Sequence, residues 1–233
     1  MNLNRRFTNK INWIFDNLIP PFLRDSKIFM TLFFWMTSGE KRKYFMEFKN
    51  RIPFLNEREY KEYYLFLADK HLQRETDLND ESIQKILENI VGDTVLDAGC
   101  GKGFLSKKIA DEMNINVFGI DINISDERGK IENPKFVEGS IESLPFESKT
   151  FDTVICAHTL EHIPEIQKAV FELRRVCKKR LMIIVPRQRE YKYTFDLHVN
   201  FFPYIFNLYK VMKNNKAKCL IIKNDIFYLE DII

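Results

Sequence analysis

The chain has 233 residues, 45% hydrophobic and 30% charged, with only 8 Gly and 8 Pro, which supplies enough apolar material for a sizeable core. That excludes a disordered tail, a collagen-like repeat and a disulfide-stapled mini-protein. Thirty-six Lys and Arg against 33 Asp and Glu leave +3, too little for a dedicated nucleic-acid binder, and four scattered cysteines predict a reducing, cytoplasmic setting with no structural metal site.

The first 50 residues stand apart. They hold 9 Lys/Arg against 4 Asp/Glu and 11 of the 32 aromatics, leaving 27 basic against 29 acidic residues in the remainder. The apolar run Ile28 to Met36 is about half the length needed to span a bilayer. Two uses fit such a segment: a helical lid on a catalytic core, or a surface meeting an anionic membrane, since aromatic rings and Lys/Arg both suit the headgroup region. Residues 1–79 are therefore predicted as an N-terminal helical, aromatic-rich lid or substrate-binding segment, with the catalytic domain at 80–233.

Between Glu57 and His71, Tyr60, Tyr63, Tyr64, Leu67 and His71 fall on one helical face, and His71 reads as a buried core histidine. Arg74 and Glu75 read as either solvated surface or part of the lid. A second helix, with Ile83, Ile86, Leu87 and Ile90, follows the cap candidates Asn79 and Asp80 and ends near Gly92. From Thr94 the period changes. Short apolar runs at Thr94–Asp97, Val117–Asp121, Lys135–Val137, Phe151–Cys156 and Leu181–Val185 alternate with helical patterns at 105–113, 163–176 and 205–212. Strands alternating with helices predict an α/β fold with a doubly wound, mostly parallel sheet. The last two runs, Cys219–Ile222 and Ile226–Leu229, are too close for a helical crossover, so a seven-stranded sheet with an antiparallel last strand is expected.

Val95-Leu-Asp-Ala-Gly-Cys-Gly-Lys-Gly103 carries the chemistry: a strand running into three alternating glycines and then a helix. Glycines let a backbone approach a ligand, and the helix start offers unpaired N–H groups. A dinucleotide fingerprint would want a third Gly at position 104, where this chain has Phe104. Asp97 would repel a pyrophosphate and suits an ammonium group. Asp121, 22 residues after Gly99, stands where open α/β folds use a carboxylate to accept ribose hydroxyls. A ligand with adenosine at one end and an amino acid at the other satisfies both, which points to S-adenosyl-L-methionine.

These residues resemble the class I S-adenosylmethionine-dependent methyltransferases, particularly the small ones of methyltransferase domain family 11 with a "VLDxGCGxG" first motif, over roughly residues 80–233. The resemblance implies that Asp97, Gly99, Cys100, Gly101 and Gly103 hold the methionine end, Asp121 the ribose, and Ile122 and Asn123 the adenine side. It also implies an adenine-binding turn at Gly139 to Phe146, contributed by Ser140, Ile141 and Glu142, with Ser140 in place of the more usual Asp. Phe151 to His158 is similar to the family's fourth strand, and His158 closes it beside the cofactor.

Methyl transfer from a sulfonium mainly requires the acceptor to be held in line at roughly 3 Å, and a hydroxyl acceptor gains from a histidine base. His158 ends a strand that faces the ligand crevice. The family likeness adds His162, in its recurrent Glu-His pair, and His198, in a segment like one placed over the acceptor, so these three are the catalytic candidates. The amino-group signature Asn/Asp-Pro-Pro-aromatic is absent after strand four, and Cys156 lies inside an apolar strand where burial explains it. Nucleic acid is thus not the expected acceptor. The expectation is O-methylation of a small molecule or glycan, carried or not on a lipid, with peripheral membrane contact through residues 1–50. An RNA or protein acceptor, and a catalytically silent cofactor-binding subunit, are the alternatives.

Overall fold

The structure is a computed structural model and describes residues 14–15, 18–68, 75–126 and 128–232. His71 and Arg74 lie outside the described residues, as do positions 1–13. The chain divides into two compact units, residues 1–74 with 188–201 and residues 75–187 with 202–233.

The larger unit is built on seven strands: β1 Thr94–Ala98, β2 Asn116–Asp121, β3 Lys135–Glu138, β4 Phe151–Ala157, β5 Cys177–Pro186, β6 Lys218–Ile222 and β7 Asp225–Asp231. Their order is β3-β2-β1-β4-β5-β7-β6. Neighbours from β3 to β5 pair in parallel, while β7 runs antiparallel to both β5 and β6. The two-residue turn Lys223-Asn224 permits no crossover helix, so the closing pair forms a hairpin. From β1 the chain winds outward to β2 and β3, then returns to β4 on the other side. That reversal opens a crevice above the carboxyl ends of β1 and β4.

Both faces of the sheet are covered, which explains why its strands read as continuous apolar runs rather than alternating ones. In β4, Val154 and Cys156 face one core and Ile155 the other, and in β5 Leu181, Ile183 and Val185 oppose Met182 and Ile184. The helices Ile166–Val176 and Ile205–Met212 supply Val170, Leu173, Leu208 and Met212 to the first face. Asp80–Asn89 and Phe104–Met113 supply Ile83, Ile86, Leu105 and Ile109 to the second. Each such side chain, fully buried, contributes roughly 1.5–3 kcal/mol of transfer free energy. The sequence pattern starts one of these helices at Ile163, but Ile163 is extended at φ −92°, ψ 116° and the helix begins at Ile166. Pro164 is the reason, because a following proline disfavours the helical region.

The smaller unit contains the helices Pro21–Arg24, Lys27–Ser38, Arg42–Arg51 and Glu57–Ala68. The last of these is described only to Ala68, short of the expected end at His71. Its core is aromatic: Phe34 stacks on Phe45 at 5.2 Å and Phe48 on Tyr63 at 5.9 Å, around buried Met30 and Leu67. Tyr191, Tyr193, Phe195 and Leu197 belong to the same core. Arg24 Nη2 donates to the Glu190 carbonyl, and Lys49 pairs with the Glu190 carboxylate at 3.0 Å. This differs from the expected division at 79/80, which gave 188–201 to the larger domain. Four large apolar side chains without a strand or helix of their own bury themselves where the aromatic helices provide a partner.

Candidate active site

β1 delivers Asp97 into the interior, 2% exposed, where its Oδ2 accepts a 2.6 Å hydrogen bond from Ser106 Oγ on the helix Phe104–Met113. Burial pushes its carboxyl up to about 6; the Ser106 hydrogen bond opposes this and the charge of Asp121 adds to it. No cation pairs with it among the described residues. A buried carboxylate that is ionised at neutral pH and lacks a counter-ion is costly, and a ligand ammonium would offset that cost.

The glycines that follow have different tasks. A side chain at Gly99 would overlap Thr159, and one at Gly103 would overlap the Phe136 ring. Gly101, at φ +53°, faces open space with no atom within 4 Å of where a Cβ would stand. It is the position at which a ligand can reach the backbone. Its N–H donates to Asp121 Oδ2 at 2.8 Å, and the Asn123 N–H donates to Asp121 Oδ1 at 3.2 Å. Burial raises the Asp121 carboxyl above its ordinary value, while these backbone hydrogen bonds and Arg128 pull against it. Cys100 turns inward: its N–H donates to the Ile120 carbonyl at 3.0 Å, its own carbonyl accepts from Gly103 N–H, and burial pushes its thiol far up. It therefore braces the turn as a neutral core residue.

Beyond β2, Ile122 is half-buried and Asn123 exposed. Sequence reasoning missed Arg128, which donates to the carbonyls of Gly101 and Asn123 (the latter at 3.1 Å) and so ties the turn after β1 to the turn after β2. No motif marks it, because it lies in a connection without periodicity. After β3, Ser140 Oγ accepts from the Glu142 N–H at 3.2 Å, and Glu142 Oε1 accepts from the Glu165 N–H at 2.9 Å. Ile141 puts its side chain in the hydrophobic core with Ile120 and Leu144, so the half-exposed groups of this turn are Ser140 and Glu142.

His158 follows β4 at φ +50°, and its Nε2 lies 3.0 Å from Asp225 Oδ1. Asp225 is itself buried and accepts from Ser82 Oγ and Asn79 Nδ2, both at 2.7 Å. Burial would lower the His158 imidazole, but the hydrogen bond and charge of Asp225, with Glu161 and Asp77 behind, push it up to about 9. That direction works against the expected role of a general base, since a raised pKa favours the protonated ring, which donates hydrogen bonds and takes up no proton. His162 closes the short turn Leu160–His162 after β4, half-buried, its N–H donating to the Thr159 carbonyl. His198 belongs to the smaller unit, where Nδ1 lies 2.5 Å from Gln188 Oε1, and Gln188 Nε2 donates to Asp196 Oδ2 at 2.8 Å. The Asp196 carboxyl is held below its usual range: burial works against this, and His198, Gln188 and Thr194 outweigh it. The three histidines thus divide between the units.

A sheet that reverses its winding at β1, with a glycine turn open to a ligand and a carboxylate at the tip of β2, has the Rossmann-like form expected from the resemblance to the S-adenosylmethionine-dependent methyltransferases. The family can be given more narrowly. Residues 96–185 match the methyltransferase domain family Methyltransf_11, and this stretch of the chain is a methyltransferase domain. The chain is similar to the uncharacterized methyltransferase YcgJ of Bacillus subtilis, 31% identical over 93 residues, which is 36% of each protein. It is also similar to the ubiquinone/menaquinone biosynthesis C-methyltransferase UbiE of Brucella canis, 32% identical over 98 residues, 37% of this chain and 36% of the relative. The likeness thus spans little more than a third of these relatives' length. Among solved structures, a chain in the complex between the Haloferax volcanii Trm112 methyltransferase activator and its methyltransferase superposes with a TM-score of 0.57 at 14% identity, covering 73% of this chain and 96% of that one. That last likeness concerns the fold.

Proposed function

We propose that the whole chain transfers a methyl group from S-adenosylmethionine to an oxygen of a small molecule or glycan, free or carried on a lipid. The observation that carries the cofactor assignment is Asp97, a buried carboxylate with no counter-ion among the described residues, beside a glycine open to a ligand. Its charge pairs with the amino-acid ammonium. Asp121 keeps its carboxylate fixed by two backbone N–H groups and has lone pairs left for the ribose hydroxyls. When bound, the cofactor supplies an electrophilic methyl group on a cationic sulfur.

The acceptor side follows from His158. With Nε2–H directed at Asp225, the imidazolium keeps its Nδ1–H for another acceptor, so it favours a substrate oxygen that carries negative charge. Asp225, tied to Ser82 and Asn79, fixes the ring orientation. On this reading the chain orients an acceptor that is already nucleophilic and draws no proton from it at His158. A carbon acceptor of enolate or phenolate character is the second reading. It is favoured by the similarity to a C-methyltransferase, and the same imidazolium would suit it.

Calorimetry with S-adenosylhomocysteine, followed by methyl transfer to a panel of small acids, phenols and glycans, tests both parts. Binding of a nicotinamide or flavin in place of S-adenosylhomocysteine defeats the cofactor assignment. Tight cofactor binding with no transfer to any oxygen or carbon acceptor defeats the reaction.

A further inference from the structure

The helix Lys27–Ser38 is apolar on two opposite faces. Met30 and Phe34 are buried, with Phe29 and Phe33 packed beside them. On the other side Ile28, Leu32, Trp35 and Met36, spaced i, i+4, i+7 and i+8, are 85%, 56%, 60% and 65% exposed. A helix of a water-soluble unit ordinarily presents charge there. Phe22, just before it in the chain, is exposed as well.

Charge indicates what covers this face. Lys27, Ile28, Thr31, Leu32, Trp35 and Arg42 line one open hollow of about 410 Å³. Among the described residues neither Lys27 nor Arg42 has an ion-pair partner. Residues 21–51 hold seven Lys/Arg and three Asp/Glu. Of the three acids, Asp25 accepts from the Lys192 N–H at 2.8 Å, Glu47 lies 3.8 Å from Arg51, and Glu40, exposed after the helix, leaves the segment four basic charges in excess. Apolar and indole side chains framed by unpaired cations match the boundary of an anionic bilayer, where rings and methyl groups enter below the headgroups and Lys/Arg meet the phosphates. A second copy of the chain fits less well, because two such faces brought together would confront Lys27 and Arg42 with like charges. At 12 residues the helix is about 18 Å long, too short to cross a hydrocarbon core and suited to lying along its surface. No helix among the described residues is long and apolar enough to span a membrane.

We infer that the outer face of Lys27–Ser38, with Phe22, Lys27 and Arg42, is a docking surface for membranes rich in anionic phospholipid. The inference does not depend on the methyl acceptor, and the full chain tests it by flotation with vesicles of phosphatidylcholine alone or with one third phosphatidylglycerol. The chain floats with the anionic vesicles, and high salt releases it. Lys27→Glu together with Arg42→Glu lowers partitioning about 25-fold or more, on the basis of roughly fivefold for each cation removed from an anionic surface. Leu32→Glu with Trp35→Glu abolishes it, while Trp35→Phe retains it. Unchanged S-adenosylhomocysteine binding and far-ultraviolet dichroism certify that each variant is folded.

Equal flotation with neutral vesicles, no flotation with anionic ones, or flotation indifferent to both double variants would overturn the inference. So would sedimentation showing a vesicle-free dimer that Leu32→Glu with Trp35→Glu dissociates, in a chain that ignores anionic vesicles.

Discussion

Replacing Asp97 by Asn separates what the site needs from what the fold would prefer. In the folded chain the carboxyl titrates at about 6 in place of 3.8, so holding it ionised at pH 7.5 costs about 3 kcal/mol at 1.36 kcal/mol per tenfold change in the proton equilibrium. Between these two values the folded state binds more protons than the unfolded one, and stability falls as pH rises. Asn removes that slope. It also weakens the hydrogen bond from Ser106 Oγ, worth about 1 kcal/mol. The expected net gain for Asp97→Asn without cofactor is therefore about 2 kcal/mol above pH 6, disappearing or reversing near pH 4. Urea unfolding of both proteins across roughly pH 4 to 8 measures the difference between the two curves. The same variant should give no heat with S-adenosylhomocysteine, because the ammonium has lost its partner. A stability difference that stays flat across this range, or a variant that binds the cofactor as tightly as the parent, refutes the reasoning.

Cofactor affinity should fall as pH drops through about 6, approaching tenfold per pH unit below it, as Asp97 becomes neutral, and proton uptake or release measured by calorimetry in buffers of different ionisation heat checks this. The His158 pairing has the opposite charge sense: its pKa is raised from 6.5 to about 9, so its stabilisation is complete below pH 6.5 and is lost as pH rises through 9. His158→Gln should remove that alkaline slope, about 3 kcal/mol in all, and Asp225→Asn should destabilise the fold by about 3 kcal/mol or more because it strips a partner from a buried network. Gly101→Ala should cost the fold only about 1–2 kcal/mol, the price of a left-handed alanine, yet weaken cofactor binding. Gly99→Ala should unfold the chain at lower denaturant, since its Cβ has no room beside Thr159.

Most of the sheet was legible because two-sided burial leaves a direct trace in sequence. Val154, Ile155 and Cys156 had to be apolar without alternation, and the short Lys223-Asn224 connection forced the hairpin. The glycine turn was legible through backbone demands that few residues other than glycine meet. Side-chain protonation was not. Nothing near His158 in the chain announces Asp225, 67 positions away, and it is this long-range pairing that raises the imidazole pKa. Arg128 was invisible for a related reason: its targets are backbone carbonyls, which every residue owns. The 188–201 stretch escaped because buried aromatics in an irregular segment carry no period to detect, and only the partner core explains them.

The path of the chain through 188–201 has a bearing on how this protein can be cut or recombined. The polypeptide passes from one unit to the other three times, near residues 74, 187 and 201, so no single scission frees either one. Removing everything before residue 75 would strand Tyr191, Tyr193, Phe195 and Leu197 in water, and the surviving fragment would be prone to aggregate. A swap of the smaller unit between relatives must therefore exchange both pieces at once, which ties the inheritance of the aromatic helices to that of an internal loop.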